Sequence, residues 1–152
     1  MSDHVGPHSA EDYAAFVGNN VHKFLPKFSK YIAEPTSFHP GWNWAAFFFS
    51  FWWFLYRKMY LWSVICFITL CLPYFNLLIA IGWGIAANSL YFKQATAKIA
   101  ETKAFHGDSY RIYLSDAGGV NGWVPWVALL VTGAFFLLLM LGIIGAALIA
   151  SA

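Results

Sequence analysis

Apolar residues recur at intervals of three and four along the first part of the chain, then merge into long uninterrupted runs. Tyr13, Val17, Val21, Phe24, Phe28 and Tyr31 mark one face of a helix, and Lys23, Lys27 and Lys30 repeat with the same period on a neighbouring face. Ser9 with Asp12 three residues later has capping-box spacing, so the helix is expected to start there. Pro26 interrupts the ladder and predicts a kink, or two short helices split near Leu25. Such a basic amphipathic element suits the surface of an anionic leaflet, and its stripe suits packing on the chain's own membrane segments equally well.

Pro35, Pro40 and Gly41 form a connector, and from Trp42 the pattern changes. Residues 42–56 carry no charge and would rise about 22 Å as a helix, short of the roughly 20 residues that a span needs. With Trp42, Trp44, Trp52 and Trp53 they predict an interfacial or re-entrant element, ended by Arg57 and Lys58 as anchors to phosphates. The run from Met59 to Phe92 is also free of charge and too long for one crossing. Pro73 near its middle predicts a helical hairpin, about 59–73 and 76–92, with one long kinked span as the alternative. Residues 93–106 continue as a polar helix, and Asp108 is placed to cap a further short one stopped by Gly118 and Gly119. From Trp123 to Ala150 the chain is uncharged and long enough for a tilted span.

These elements predict an all-α fold: a small multispanning membrane protein with an N-terminal amphipathic helix, a short or re-entrant aromatic helix, a helical hairpin and a long C-terminal transmembrane helix. The expected organisation is a cytosolic tail and surface helix (1–41), an aromatic-rich membrane domain (42–92), a polar cytosolic connector (93–122) and the last span (123–152).

Composition strengthens the membrane reading. Of 152 residues 60% are hydrophobic and 20% aromatic, while 11% are charged against about 25% in soluble domains. A net charge of +2 without a basic track interleaved with aromatics gives no reason to expect nucleic acid. The early residues lack the apolar core of a secretory signal, so the N-terminus is expected to start in the cytosol. The positive-inside rule places Arg57, Lys58, Lys93, Lys98 and Lys103 there too, and three spans would leave the C-terminus periplasmic.

Candidate chemistry is sparse. Cys66 and Cys71 point about 140° apart on a helix, which favours neither a disulfide nor a shared metal. His4 and His8 have a ligand spacing but lie where no helix is expected, and His22, His39 and His106 are isolated. His39 invites thought of a haem or chlorophyll, yet interfacial and lipid-facing payload accounts for the aromatics; no metal, cofactor or catalytic residue is expected. Residues 59–92 and 117–152 contain no ionisable acid or base of the kind carriers place in their spans. Small residues do repeat at helix-packing spacing: Ala80, Gly84 and Asn88, Gly82 and Ala86, then Gly142 and Ala146.

The run WNWAAFFFSFWWFLYRKMY resembles the hallmark of a bacterial family of small inner-membrane proteins catalogued as domain of unknown function 2628. Trp44, Ala45, Ala46 and Phe47 match its opening, and Tyr56, Arg57, Lys58, Met59 and Tyr60 match its end. Asn88 to Phe92 (NSLYF) and Phe16 to Asn19 resemble further motifs, so the likeness extends over roughly residues 15–120. Ser50-Phe51 departs from a Gly-Pro pair common in that family, and the long C-terminal span is a second departure. The resemblance implies a bacterial inner-membrane location and no established chemistry.

The expected role is therefore a non-catalytic accessory subunit of a larger membrane complex, of respiratory or photosynthetic type, packing on other integral membrane subunits and phospholipids. A small homo-oligomeric transporter or channel, and a membrane-surface recruiter of a soluble partner, are the competing readings.

Overall fold

Ser9 and Asp12 form the capping box that their spacing predicts. The Asp12 N–H donates to Ser9 Oγ and the Ser9 N–H to Asp12 Oδ2, both at 3.2 Å. They open α1 (Ala10–Val17) in a computed structural model that describes residues 8–72 and 74–150. The first break is not at Leu25. It falls at Gly18, whose φ of +67° ends α1 and leads through a single 3-10 turn into α2 (Val21–Tyr31). Pro26 lies on an exposed face inside α2, which continues through it, so its cost is confined to the N–H it lacks.

The apolar stripe of α1 and α2 is spent on the chain itself. Tyr13 stacks on Phe92 with centroids 5.5 Å apart, Phe28 meets Phe92 edge-on at 5.2 Å, and Phe24 meets Tyr91 at 5.0 Å. Lys23 and Lys30 remain exposed on the other side. Of the two uses open to this amphipathic element, its apolar face serves intramolecular packing.

Residues 42–56 do not form one helix. α3 (Trp44–Phe49) and α4 (Phe51–Tyr56) are separated at Ser50, which has a φ of +43° and ψ of −118°. Asn43 caps α3 by accepting from the Ala46 N–H at 3.1 Å. α5 (Tyr60–Leu70) and α6 (Asn76–His106) then form the antiparallel hairpin, tied by Trp83 Nε1 donating to Thr69 Oγ1 at 3.0 Å. Pro73, the expected turn residue, lies outside the described residues. α6 has 31 residues and runs through the boundary drawn at residue 92, because nothing between Phe92 and Lys93 breaks a helix. α7 (Tyr110–Ala117) follows a 3-10 turn and stops at Gly118; its N-cap is Ser109, and Asp108 supplies no cap bond.

The protein is thus all-α, and one compact unit ends at Asn121 while a second begins at Gly122. In the first unit α1, α2, α4 and α7 surround the middle of α6 with an aromatic core. Tyr13, Phe28, Phe54, Tyr91 and Phe92 are its largest fully buried rings, alongside Phe16. The second unit is α8 (Val124–Ala150). Helix lengths limit the multispanning expectation. Among the described residues only α8 is long and apolar enough to cross a membrane. α5 has 11 residues, about 16 Å, against about 30 Å of hydrocarbon.

Candidate functional site

The sequence segments singled out above meet on one stretch of α6, Asn88 to Phe92. Asn88 is fully buried and uses its whole amide. Its Nδ2 donates to the Gly41 and Trp42 carbonyls at 3.1 and 3.2 Å, and its Oδ1 accepts from Asn43 Nδ2 at 3.0 Å. The connector is also pinned by its backbone, with Asn43 N–H on Gly84 O at 2.8 Å and Gly41 N–H on Ile85 O at 3.2 Å. Gly84 eases this approach, since an added Cβ would lie 3.1 Å from Phe47 Cβ and push that side chain away. The small-residue spacing around Gly84 and Asn88 therefore serves an internal contact with α3. Asn43 was not singled out from the sequence; a polar residue inside an otherwise apolar run is the signal that marks it.

One turn further along α6, Tyr91 meets Arg57. Arg57 is 5% exposed, and its guanidinium, expected at a surface, is turned inward. It lies 4.4 Å from the Phe24 ring, 5.1 Å from Tyr91 and 5.6 Å from Tyr56, and Nη1 reaches Tyr91 Oη at 3.5 Å. Its Nε is the buried side-chain atom without a hydrogen-bond partner among the described residues. Aromatic faces supply the attraction that a carboxylate usually would. Lys58 turns the other way: with φ at +59° its Nζ donates to the Asp116 carbonyl at 2.9 Å. Phe16 joins the same neighbourhood, its carbonyl accepting from Gly119 N–H at 2.8 Å. A Cβ on Gly118 would collide with that carbonyl at 2.0 Å.

A second polar cluster closes the far end of α6. Asp12 Oδ2 accepts from Lys103 Nζ at 2.6 Å and Oδ1 from Tyr110 Oη at 2.8 Å. Burial alone would raise the Asp12 carboxyl, but the bonds from Lys103, Tyr110 and Ser9 outweigh it and bring it down to about 2. His8 Nε2 donates to the Thr96 carbonyl at 3.0 Å, and its Nδ1 accepts from Lys103 Nζ at 3.4 Å. Burial lowers the His8 pKa; its bond to Thr96 opposes that, and the Lys103 charge adds to it. The neutral imidazole is the form that fits between a carbonyl and an ammonium.

The remaining sequence candidates are scattered. Trp53 is buried edge-on to Phe54, and Trp52 packs on Phe51 at 4.5 Å. Trp42 and Trp44 are 38% and 63% exposed. Gly82 and Gly142 have open space where a Cβ would be, Ala86 is half-buried and Ala146 is exposed. His4 lies outside the described residues. His39 stacks on Tyr31 at 4.5 Å and bonds the Glu34 carbonyl, while His106 stacks on Tyr113 at 3.9 Å. Among the described residues no three His, Cys, Asp or Glu side chains converge as a metal site. Buried Asn88, Arg57 and Asp12 are held by neighbours, an arrangement that fixes the connector, α4 and α1 on α6.

No protein-family model, curated protein or solved structure matches the chain.

Proposed function

We propose that this chain is a membrane-anchored, non-catalytic accessory subunit of a larger bacterial inner-membrane complex. One observation carries the reading: α8 has 27 residues, no charge, and an apolar stretch of which none is buried by the chain itself. Gly133, Gly142 and Gly145 all have open space where a side chain would begin. A helix of that composition is stable when lipid or other spans cover it. On this reading α8 crosses the bilayer and offers its Gly142 and Ala146 face to the spans of other subunits. The folded first unit stays cytosolic at the membrane surface. One crossing, like three, leaves the C-terminus periplasmic.

The likeness to the domain of unknown function 2628 family gains support from Ser50-Phe51. A positive φ at residue 50 followed by the first residue of α4 is the local geometry that a Gly-Pro pair encodes. The segments carrying the likeness also converge on Asn88 to Phe92, as one mutually supporting core would require.

Exchanging α8 for an unrelated single span of equal length tests the role. The account expects membrane retention to persist while fixed-ratio co-purification with other membrane subunits is lost. Unchanged co-purification would reduce α8 to an anchor and remove the argument for partner packing.

A further inference from the structure

α5 and the start of α6 carry an apolar surface that the first unit leaves uncovered. Leu61, Val64 and Ile68 form a stripe on α5, 69%, 56% and 61% exposed, and Leu77 and Leu78 continue it on α6 at 67% and 66%. No charged residue lies between Lys58 and Lys93. Along α5 and α6 the polar side chains bond within the chain, while at the turn Tyr74 (98% exposed) and Asn76 remain exposed. Ser63 Oγ donates to the Phe51 carbonyl at 3.0 Å, Thr69 Oγ1 to the Cys66 carbonyl at 2.8 Å, and Trp83 Nε1 to Thr69. Oriented with its amide nitrogen toward the turn, Asn76 can donate to the carbonyl of Leu70, which ends α5, and to that of Leu72. Internal satisfaction of the polar groups along the two helices, beneath an apolar exterior, is what hydrocarbon demands and water does not.

The dimensions bear on what covers it. α5 rises about 16 Å from its base at Tyr60, which matches one leaflet of about 15 Å and falls well short of the whole layer. On α6, the distance from Asn76 to Gly84 is about 12 Å, and at Gly84 the helix meets α3, which exposes Trp44 (63%) and Phe48 (68%). Tyr60, 56% exposed, stands at the other base. Trp44, Phe48 and Tyr60 are thus exposed at the base of the hairpin, the place that aromatics take where hydrocarbon gives way to headgroups.

We infer that the α5–α6 hairpin is a re-entrant wedge that inserts into the acyl chains of one leaflet and does not cross, with α3 and Tyr60 as its interfacial collar. The occupant of the apolar face is lipid. This rests on the membrane reading of α8 above, and the test separates the two.

Cys71 is exposed beside the hairpin tip and Cys66 is buried, so the full chain offers a natural attachment point for a nitroxide. In phosphatidylethanolamine–phosphatidylglycerol vesicles, oxygen and a water-soluble nickel chelate then report depth by their collisions with the label. Tyr60→Cys and Ala146→Cys, each in a Cys71→Ser background, give the collar and α8. The expected result is a ratio of oxygen to nickel collisions several-fold higher at Cys71 than at Tyr60→Cys, with nickel excluded from either side of the vesicle. Free nickel access at Cys71, with Ala146→Cys still in lipid, overturns the wedge; access from the far face alone identifies a full crossing. Nickel access at Ala146→Cys as well would overturn the membrane reading itself.

Discussion

Replacing Ser50 with glycine tests the turn that separates α3 from α4. Ser50 holds φ +43° and ψ −118°, a region that side chains with a Cβ rarely adopt. Such a residue carries about 1–3 kcal/mol of strain, and glycine returns about 0.5–1 kcal/mol as extra freedom in the unfolded chain. The hydroxyl contributes little against this, since its bond to the Phe47 carbonyl is 3.4 Å long. Ser50→Gly should therefore stabilise the first unit by about 1 kcal/mol, a rise in melting temperature of about 2–4 °C. Thermal unfolding of the full chain in one mild detergent, followed by tryptophan fluorescence at a fixed scan rate, reads the change. Ser50→Ala provides the contrast, because it keeps the strain and loses the weak bond, and it should be neutral or slightly destabilising. A destabilised glycine variant, or an alanine variant stabilised equally, would refute the strain argument.

Other outcomes follow from the core around α6. Asn88→Ala removes the three hydrogen bonds of a buried amide and should cost about 3 kcal/mol, seen in the same thermal assay together with protease cleavage in the freed 34–43 connector. Arg57→Met roughly keeps the packing volume but removes the ring contacts with Phe24, Tyr56 and Tyr91 that hold α4 on α6, and should cost about 1–2 kcal/mol; unchanged stability would show that these contacts do not hold α4 in place. The acid cluster predicts pH dependence in two stages. His8 has a folded pKa below its ordinary 6.5, so its contribution is complete above that value and declines as pH falls below it. Asp12, lowered from 3.8 to about 2, contributes about 2 kcal/mol that is lost as pH falls from about 4 to about 2. Lys103→Met should shrink the second stage, and a midpoint independent of pH below 4 would contradict the ion pair.

Much of the helical order is legible in the sequence because periodicity and caps act locally. Ser9 and Asp12 state the start of α1, Gly118 the end of α7, and the uninterrupted run after Trp123 the whole of α8. What is not legible depends on contacts between distant segments. The stripe of Tyr13, Phe24 and Phe28 reads the same whether it faces lipid or Tyr91 and Phe92. Arg57 beside Lys58 resembles a surface pair, and only the arrival of Phe24 from α2 and Tyr91 from α6 turns its guanidinium inward. Ser50 hides a turn because serine carries no conformational signal of the kind glycine does. Pro26 misleads for the opposite reason: its signal is strong, but an exposed position lets the helix absorb it. Asn88 and Asn43 each stand out as a polar residue in an apolar run, but that they pair across 45 positions is shown only by the fold.

The most direct test of the central claim is the mass and composition of the native particle after extraction in a mild detergent. The account predicts a hetero-complex containing this chain in fixed ratio with other integral membrane subunits. A lone monomer or a homo-oligomer carrying only lipid would contradict it.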